Sequence, residues 1–332
     1  MKKNIVLFSL VLLLVLLPLV TSYAKPFYEG KVIKIIVATK PGGGYDWYGR
    51  FMAKFMGKYL PGSTIIVKNV PGAGHIIGTN EVYMSKPNGL TIGTFNRAVG
   101  MTQVVGLKGV KFDFPKLSWL GSPTSEVYSF VVSSKKFKNL DDVLKADKVR
   151  LATTGLGSIS YLTPLLFYQM LGLKNYKLAT GYSGAESEMA VLRGEMDGVW
   201  GSFYSRKKII DSGDGRVVVL IAKKKPVGFE GVPLIQDVIT QKKYKPVVDL
   251  LYGLNVVGRP FAGPPGIPKD RLKILREAFK KACHDPEALR IAKKAERPMS
   301  YVSHEEAATW AKGLLELPPE VVNTVKRAYG VK

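Results

Sequence analysis

The sequence predicts an α/β fold built as two units, and three observations carry that expectation. Strand-like and helix-like segments alternate along most of the chain. The chain has 332 residues, more than one hydrophobic core serves comfortably and a natural length for two domains. Three glycine turns recur at one kind of junction, each after a strand and at the start of a helix.

The N-terminus reads as a secretory signal. Lys2 and Lys3 precede an apolar run from Ile5 to Val20, and Ser22-Tyr23-Ala24 offers small residues at a cleavage site. Residues 1–24 are therefore expected to be removed near Ala24, which places the mature chain in the periplasm. An uncleaved anchor is the alternative, since the run approaches the lower end of a spanning length. Nothing later in the sequence is long and apolar enough to span a bilayer.

The first unit opens with Val32–Ala38, a strand candidate broken only by Lys34, and runs into the loop Pro41–Asp46. Trp47-Tyr48, Phe51-Met52, Phe55-Met56 and Tyr59-Leu60 repeat every four residues, opposite Arg50, Lys54 and Lys58. That period marks an amphipathic helix, which Pro61-Gly62 ends. Thr64–Val67 is the next strand and leads to the turn Pro71-Gly72-Ala73-Gly74. Leu90–Phe95 is a third.

A second unit begins near Tyr128. Tyr128–Val132 reads as a strand, and Asn139 is placed to cap a helix carrying Leu140, Val143 and Leu144. Val149–Thr153 is a strand followed by Thr154–Ser158, after which Leu162, Leu165, Leu166 and Met170 share a helix face. Gly181–Gly184 precedes a helix through Met189 and Leu192, Arg193–Gly198 reads as a turn, and Val217–Ile221 as a strand. Beyond the rigid connector Gly263–Pro268 the pattern is helical to the end.

Composition narrows the function. The formal net charge is +23, which fits nucleic acid, an anionic surface or an anionic ligand. The basic residues are spread as pairs and triplets, no zinc or RNA-binding motif occurs, and export speaks against nucleic acid. Cys283 is the only cysteine, so no internal disulfide forms, and its apolar helical setting reads as a buried inert thiol. His75, His284 and His304 lack metal-ligand spacing, and no Gly-x-Ser-x-Gly elbow is present. The residues point to no enzyme, no cofactor and no metal.

The glycine turns carry the positive signal. A helix N-terminus presents unpaired N–H groups and a partial positive charge, and glycine lets backbone approach a ligand closely. A strand-to-helix glycine turn is therefore an anion seat. The seats here are Gly42–Asp46, Gly72–His75 and Gly155–Ser158. None has the Lys-Ser/Thr of a phosphate loop or the spacing of a dinucleotide fingerprint.

Pro41-Gly42-Gly43-Gly44-Tyr45-Asp46 followed by Asn69-Val70-Pro71-Gly72-Ala73-Gly74 resembles the signature of the tripartite tricarboxylate transporter substrate-binding proteins, the TctC or Bug-type receptors. Gly155–Ser158, Gly181–Gly184, Arg193–Gly198, Pro264–Arg271 and Asp285-Pro286 match in order. The resemblance implies a type II periplasmic-binding fold, with two lobes, each a central β-sheet flanked by helices, and a hinged cleft between them. Residues 25–128 plus 254–332 would form one lobe and residues 129–253 the other.

It also implies a monomeric receptor that captures a small di- or tricarboxylate and hands it to membrane permease subunits; the alternative is a periplasmic sensor component. Carried over position by position, the ligand-binding residues would be Gly43, Gly44, Tyr45, Asp46, Gly72, Ala73, Gly74, Gly157, Ser158, Tyr182 and Gly184. His75 and Tyr45 stand where many members carry glycine and threonine. They add bulk and a polar tip, so the distal end of the ligand would differ from a simple tricarboxylate, with His75 beside it.

Overall fold

A computed structural model of the protein describes residues 25–331; the signal peptide read at 1–24 lies outside the described residues. Two five-stranded mixed sheets, each flanked by helices, make two lobes. In the first sheet the order is β2 (Thr64–Asn69), β1 (Val32–Val37), β3 (Thr91–Thr94), β10 (Phe261–Gly263), β4 (Ser118–Gly121). In the second it is β7 (Tyr176–Ala179), β6 (Val149–Ala152), β8 (Gly198–Ser202), β5 (Tyr128–Ser133), β9 (Gly215–Ile221).

The two sheets share one plan. β1 runs parallel to β2 and β3, and β6 runs parallel to β7 and β8. The fourth place is antiparallel in both: β10 pairs with β3 and β4, and β5 pairs with β8 and β9. The chain crosses to the second sheet between β4 and β5 and returns between β9 and β10. Backbone bonds zip the two crossovers together, from Glu126 N to the Asn255 carbonyl and from Gly258 N to the Thr124 carbonyl, each 2.9 Å.

Sequence pattern explains most of these elements. β1 lies between two neighbours with helices beyond, which is why its run is apolar on both faces, with Ile33, Ile35, Ile36 and Val37 buried. The four-residue aromatic repeat forms helix Gly44–Gly57, burying Tyr48, Phe51, Met52, Phe55 and Met56. Asn139 caps helix Leu140–Lys145 by accepting from Asp142 N. Cys283 is buried near the end of helix Lys269–His284.

Three strands differ from the sequence reading. β8 follows directly on the segment read as a turn, and its glycines hide its strand character. Gly198 and Gly201 give room to close neighbours: a Cβ at Gly198 would sit 3.0 Å from the Val131 carbonyl. β10 has only three residues, flanked by Pro260 and Pro264, and β4 is four residues long. All three owe their strand state to pairing partners distant in sequence.

The core continues from one lobe into the other. Ile36, Phe95 and Trp119 belong to the same buried cluster as Phe130, Phe167 and Trp200. The last helix, Pro319–Tyr329, packs on helix Ile159–Leu171 of the second lobe. Val321 and Val325 join the cluster that holds Leu162 and Leu166, and Tyr329 Oη donates to the Leu156 carbonyl at 2.8 Å.

Candidate functional site

The carboxyl ends of β1, β2 and β3 face those of β6, β7 and β8, and the loops that leave them meet between the lobes. This is where open α/β sheets bind ligands. A cavity of about 540 Å³ lies there. A smaller one of about 280 Å³ shares Thr39, His75 and Thr154 with it.

The first glycine turn forms a wall of the larger cavity. Helix Gly44–Gly57 starts with no side-chain cap, so its first-turn amides stay open. A Cβ at Gly44 would come within 2.7 Å of Arg259 Nη2 and Ser205 Oγ, which explains the glycine. Tyr45 turns inward and is buried. Its hydroxyl accepts from Arg97 N at 3.1 Å, and its ring meets His75 edge-on at 5.0 Å. Asp46 turns away from both cavities. Its carboxylate accepts from Gly42 N, Arg50 Nε and Asn69 Nδ2 at 2.9–3.1 Å. Burial opposes its ionisation, but the bonds from Arg50, Asn69 and Gly42 outweigh burial and hold the carboxyl below its usual range. Asp46 thereby fixes the shape of the turn.

The second turn lines the smaller cavity with Gly72, Ala73, Gly74 and His75. Ala73 and His75 hold φ of 45° and 84°, a left-handed backbone that costs a non-glycine residue about 1–2 kcal/mol. His75 faces both cavities and is 2% exposed. Burial, with Arg259 adding to it, drives its imidazole down to about 3, so it is neutral at ordinary pH.

The third turn does something else. Gly157 and Ser158 line neither cavity; they are buried where the lobes touch. A Cβ on Gly74 would fall 2.6 Å from Gly157 N. Ile159 N, at the start of its helix, donates across the cleft to Asn96 Oδ1 at 3.0 Å. Thr154, Ile159 and Ser160 face the larger cavity instead. Gly184 lines the larger cavity and Tyr182 the smaller. Lys40, at the rim of the smaller cavity, reaches over the cleft to Glu186 at 3.1 Å.

Four arginines also line the larger cavity, and the sequence reading did not single them out: Arg97, Arg206, Arg259 and Arg297. The first three are buried. Arg259 pairs with buried Glu126 at 2.7 Å. Burial would pull its guanidinium down, but Glu126 outweighs that and holds it above its ordinary value. Arg206 pairs with Glu188 at 2.8 Å and donates to the Gly184 carbonyl. Arg297 donates to Ser205 Oγ at 2.6 Å. Among the described residues Arg97 and Arg297 make no ion pair with a carboxylate, so the cavity carries excess positive charge. The sequence signal, had it been weighed, is position: Arg97 and Arg206 each follow the third parallel strand of a sheet by a few residues, and Arg97 sits between Phe95 and Val99.

Comparison with known proteins decides what this arrangement belongs to. The family model described as tripartite tricarboxylate transporter family receptor matches residues 49–313. The chain belongs to that family. A UPF0065 protein of Bordetella pertussis is 23% identical over 268 residues, covering 78% of each chain. The structure of the periplasmic binding protein BugD superposes with a TM-score of 0.77 at 19% identity, covering 92% of this chain and 99% of that one. MatC from Rhodopseudomonas palustris, solved with bound malate, gives 0.73 at 17% identity, with 89% and 99% covered. These neighbours share the two-lobed fold.

The family is one of substrate-binding receptors rather than enzymes, and BugD among the solved neighbours is a periplasmic binding protein. The receptor described here has no helix long and apolar enough to cross a membrane among its described residues. Nor do those residues include a group of three or more His, Cys, Asp or Glu placed to hold a metal.

Proposed function

We propose that this receptor works in the periplasm as a monomer, after removal of its signal peptide near Ala24. It captures a small organic carboxylate between its lobes and delivers it to the membrane permease of a tripartite tricarboxylate-type transporter. The lobes in this reading are 25–128 plus 254–332 and 129–253, with the last helix strapped onto the second. The observation that carries the proposal is the larger cavity itself: an uncapped helix N-terminus at Gly43–Tyr45 and buried arginines line one shared space. Open amides and guanidinium groups both favour an anion, and a buried carboxylate makes its strongest hydrogen bonds to such donors.

In this proposal Gly43, Gly44 and Tyr45 seat one carboxylate through backbone N–H groups, and Gly184 closes over it. Gly72, Ala73, Gly74 and Tyr182 wall the adjoining space, with His75 between the two. Asp46, Gly157 and Ser158 contribute by shaping the turn and the lobe contact. The malate in MatC is consistent with a ligand of this size. Calorimetry and thermal shift against mono-, di- and tricarboxylates, a neutral sugar and a cationic amino acid test the proposal. At least one carboxylate is expected to bind and raise the melting temperature. Binding of the sugar or the cation with no response to any carboxylate would sink it.

A further inference from the structure

We infer that Arg97 sets the receptor's specificity: its guanidinium pairs with a second anionic group of the ligand, so the site selects a dianion over the monoanion of the same length. The inference rests on the carboxylate-receptor reading above and concerns which carboxylate.

Arg97 is 1% exposed and among the largest fully buried side chains. A guanidinium stays charged in a protein, and a buried charge is costly unless paired and hydrogen-bonded. The protein supplies little to Arg97: one bond from Nη1 to the Gly258 carbonyl at 3.3 Å, and the Tyr128 ring 4.9 Å from its carbon. Among the described residues, Nε and Nη2, both buried, have no hydrogen-bond partner. Those two donors lie on one edge of the guanidinium, and that edge is the fork that takes a carboxylate bidentately. Arg206 and Arg259, buried in the same wall, each already have a glutamate.

Place in the fold adds a second reason. The backbone N–H of Arg97 donates to the Tyr45 hydroxyl, which ties this arginine to the turn whose open amides seat the first carboxylate. One anionic group on the turn and another on the Arg97 fork use two sets of unmet donors at once. A monoanion leaves one set unmet.

The test compares chain-matched pairs: succinate with butyrate, glutarate with pentanoate, adipate with hexanoate, at neutral pH, by calorimetry on the mature protein. The wild type is expected to bind at least one diacid about a hundredfold more tightly than its monoacid. Arg97→Met is expected to erase that ratio, and to melt no lower than the wild type without ligand, because a buried unpaired charge is gone. Arg97→Lys keeps the charge but not the fork, and loses about tenfold of the ratio.

A wild type that binds monoacid and diacid alike overturns the inference and leaves the receptor reading standing. So does an Arg97→Met protein that keeps the ratio, or one that melts lower and loses both ligands equally, since Arg97 would then only brace Gly258. A lysine variant with the full ratio removes the bidentate pairing. If the wild type binds none of the acids, the carboxylate reading itself fails and the inference falls with it.

Discussion

Glu126 and Arg259 form a buried ion pair at 2.7 Å between the two crossovers that join the lobes. Both groups also reach into the second lobe, Glu126 by accepting from the Ser202 hydroxyl and Arg259 by donating to Ser205 Oγ at 3.2 Å. One charge pair thus sits in the joint and in the cavity wall at once.

Glu126→Gln leaves Arg259 buried without its counter-charge. Breaking a buried pair in this way costs about 3–5 kcal/mol. Denaturant unfolding is expected to show that loss in the ligand-free protein. A variant as stable as the wild type would mean that water or backbone carbonyls already meet the needs of Arg259.

Gly74→Val tests the lobe contact, with the strain of a branched residue at φ 61° added to it. A Cβ at Gly74 would lie 2.5 Å from the Gly155 carbonyl group and 2.6 Å from Gly157 N, all backbone that cannot step aside. The expected cost is about 1–3 kcal/mol against the closed arrangement, read as a larger radius of gyration by small-angle scattering and a ligand affinity about 10- to 100-fold weaker. Gly43→Ala is the control in the scattering assay alone, since Gly43 belongs to the ligand seat: its Cβ would sit 3.5 Å from Gly184 N, an ordinary contact. Equal damage from both would show that the Gly74 contact has no special part in closure.

His75 gives stability a pH dependence. Its folded value is about 3, against about 6.5 for an exposed imidazole. The unfolded chain therefore takes a proton first, and stability falls as pH drops from about 6.5 toward 3. The loss between pH 6.5 and 4.5, before most carboxylates titrate, is at most about 2 kcal/mol. His75→Asn keeps a residue that tolerates the left-handed backbone and removes the titration. His304, also lowered by burial, retains a smaller slope. Identical pH profiles for variant and wild type would exclude His75 as the source.

Much of the fold was legible because periodicity and turn chemistry are local. The run Val32–Val37, the aromatic repeat after Tyr45 and the cap at Asn139 each declare their structure within a dozen residues. β8 and β10 do not, since their strand state comes from partners such as Phe130 and Thr94. In the site, the strand-to-helix position of the glycine turns was readable, and five of the expected residues line the larger cavity: Gly43, Gly44, Tyr45, His75 and Gly184. The use of Gly157 for lobe contact was not readable, because it depends on Gly74 arriving from the other lobe. The arginines were hidden among 49 lysines and arginines. Only the folded chain separates the buried few from the solvated many.

The last helix adds a third tie between the lobes, held to the second by packing rather than by a covalent bond. It leaves the first lobe after helix His304–Gly313 and docks on the second through Pro319–Tyr329, so residues 314–318 span the gap. Five residues reach about 17 Å when fully extended, and Pro318 stiffens the end of the run. While that helix stays docked, the joint works as a mechanical stop. How far the mouth can gape, and so how large a molecule can enter, is limited by the length of a short strap. Lengthening or shortening that strap would retune admission without altering any residue of the cavity.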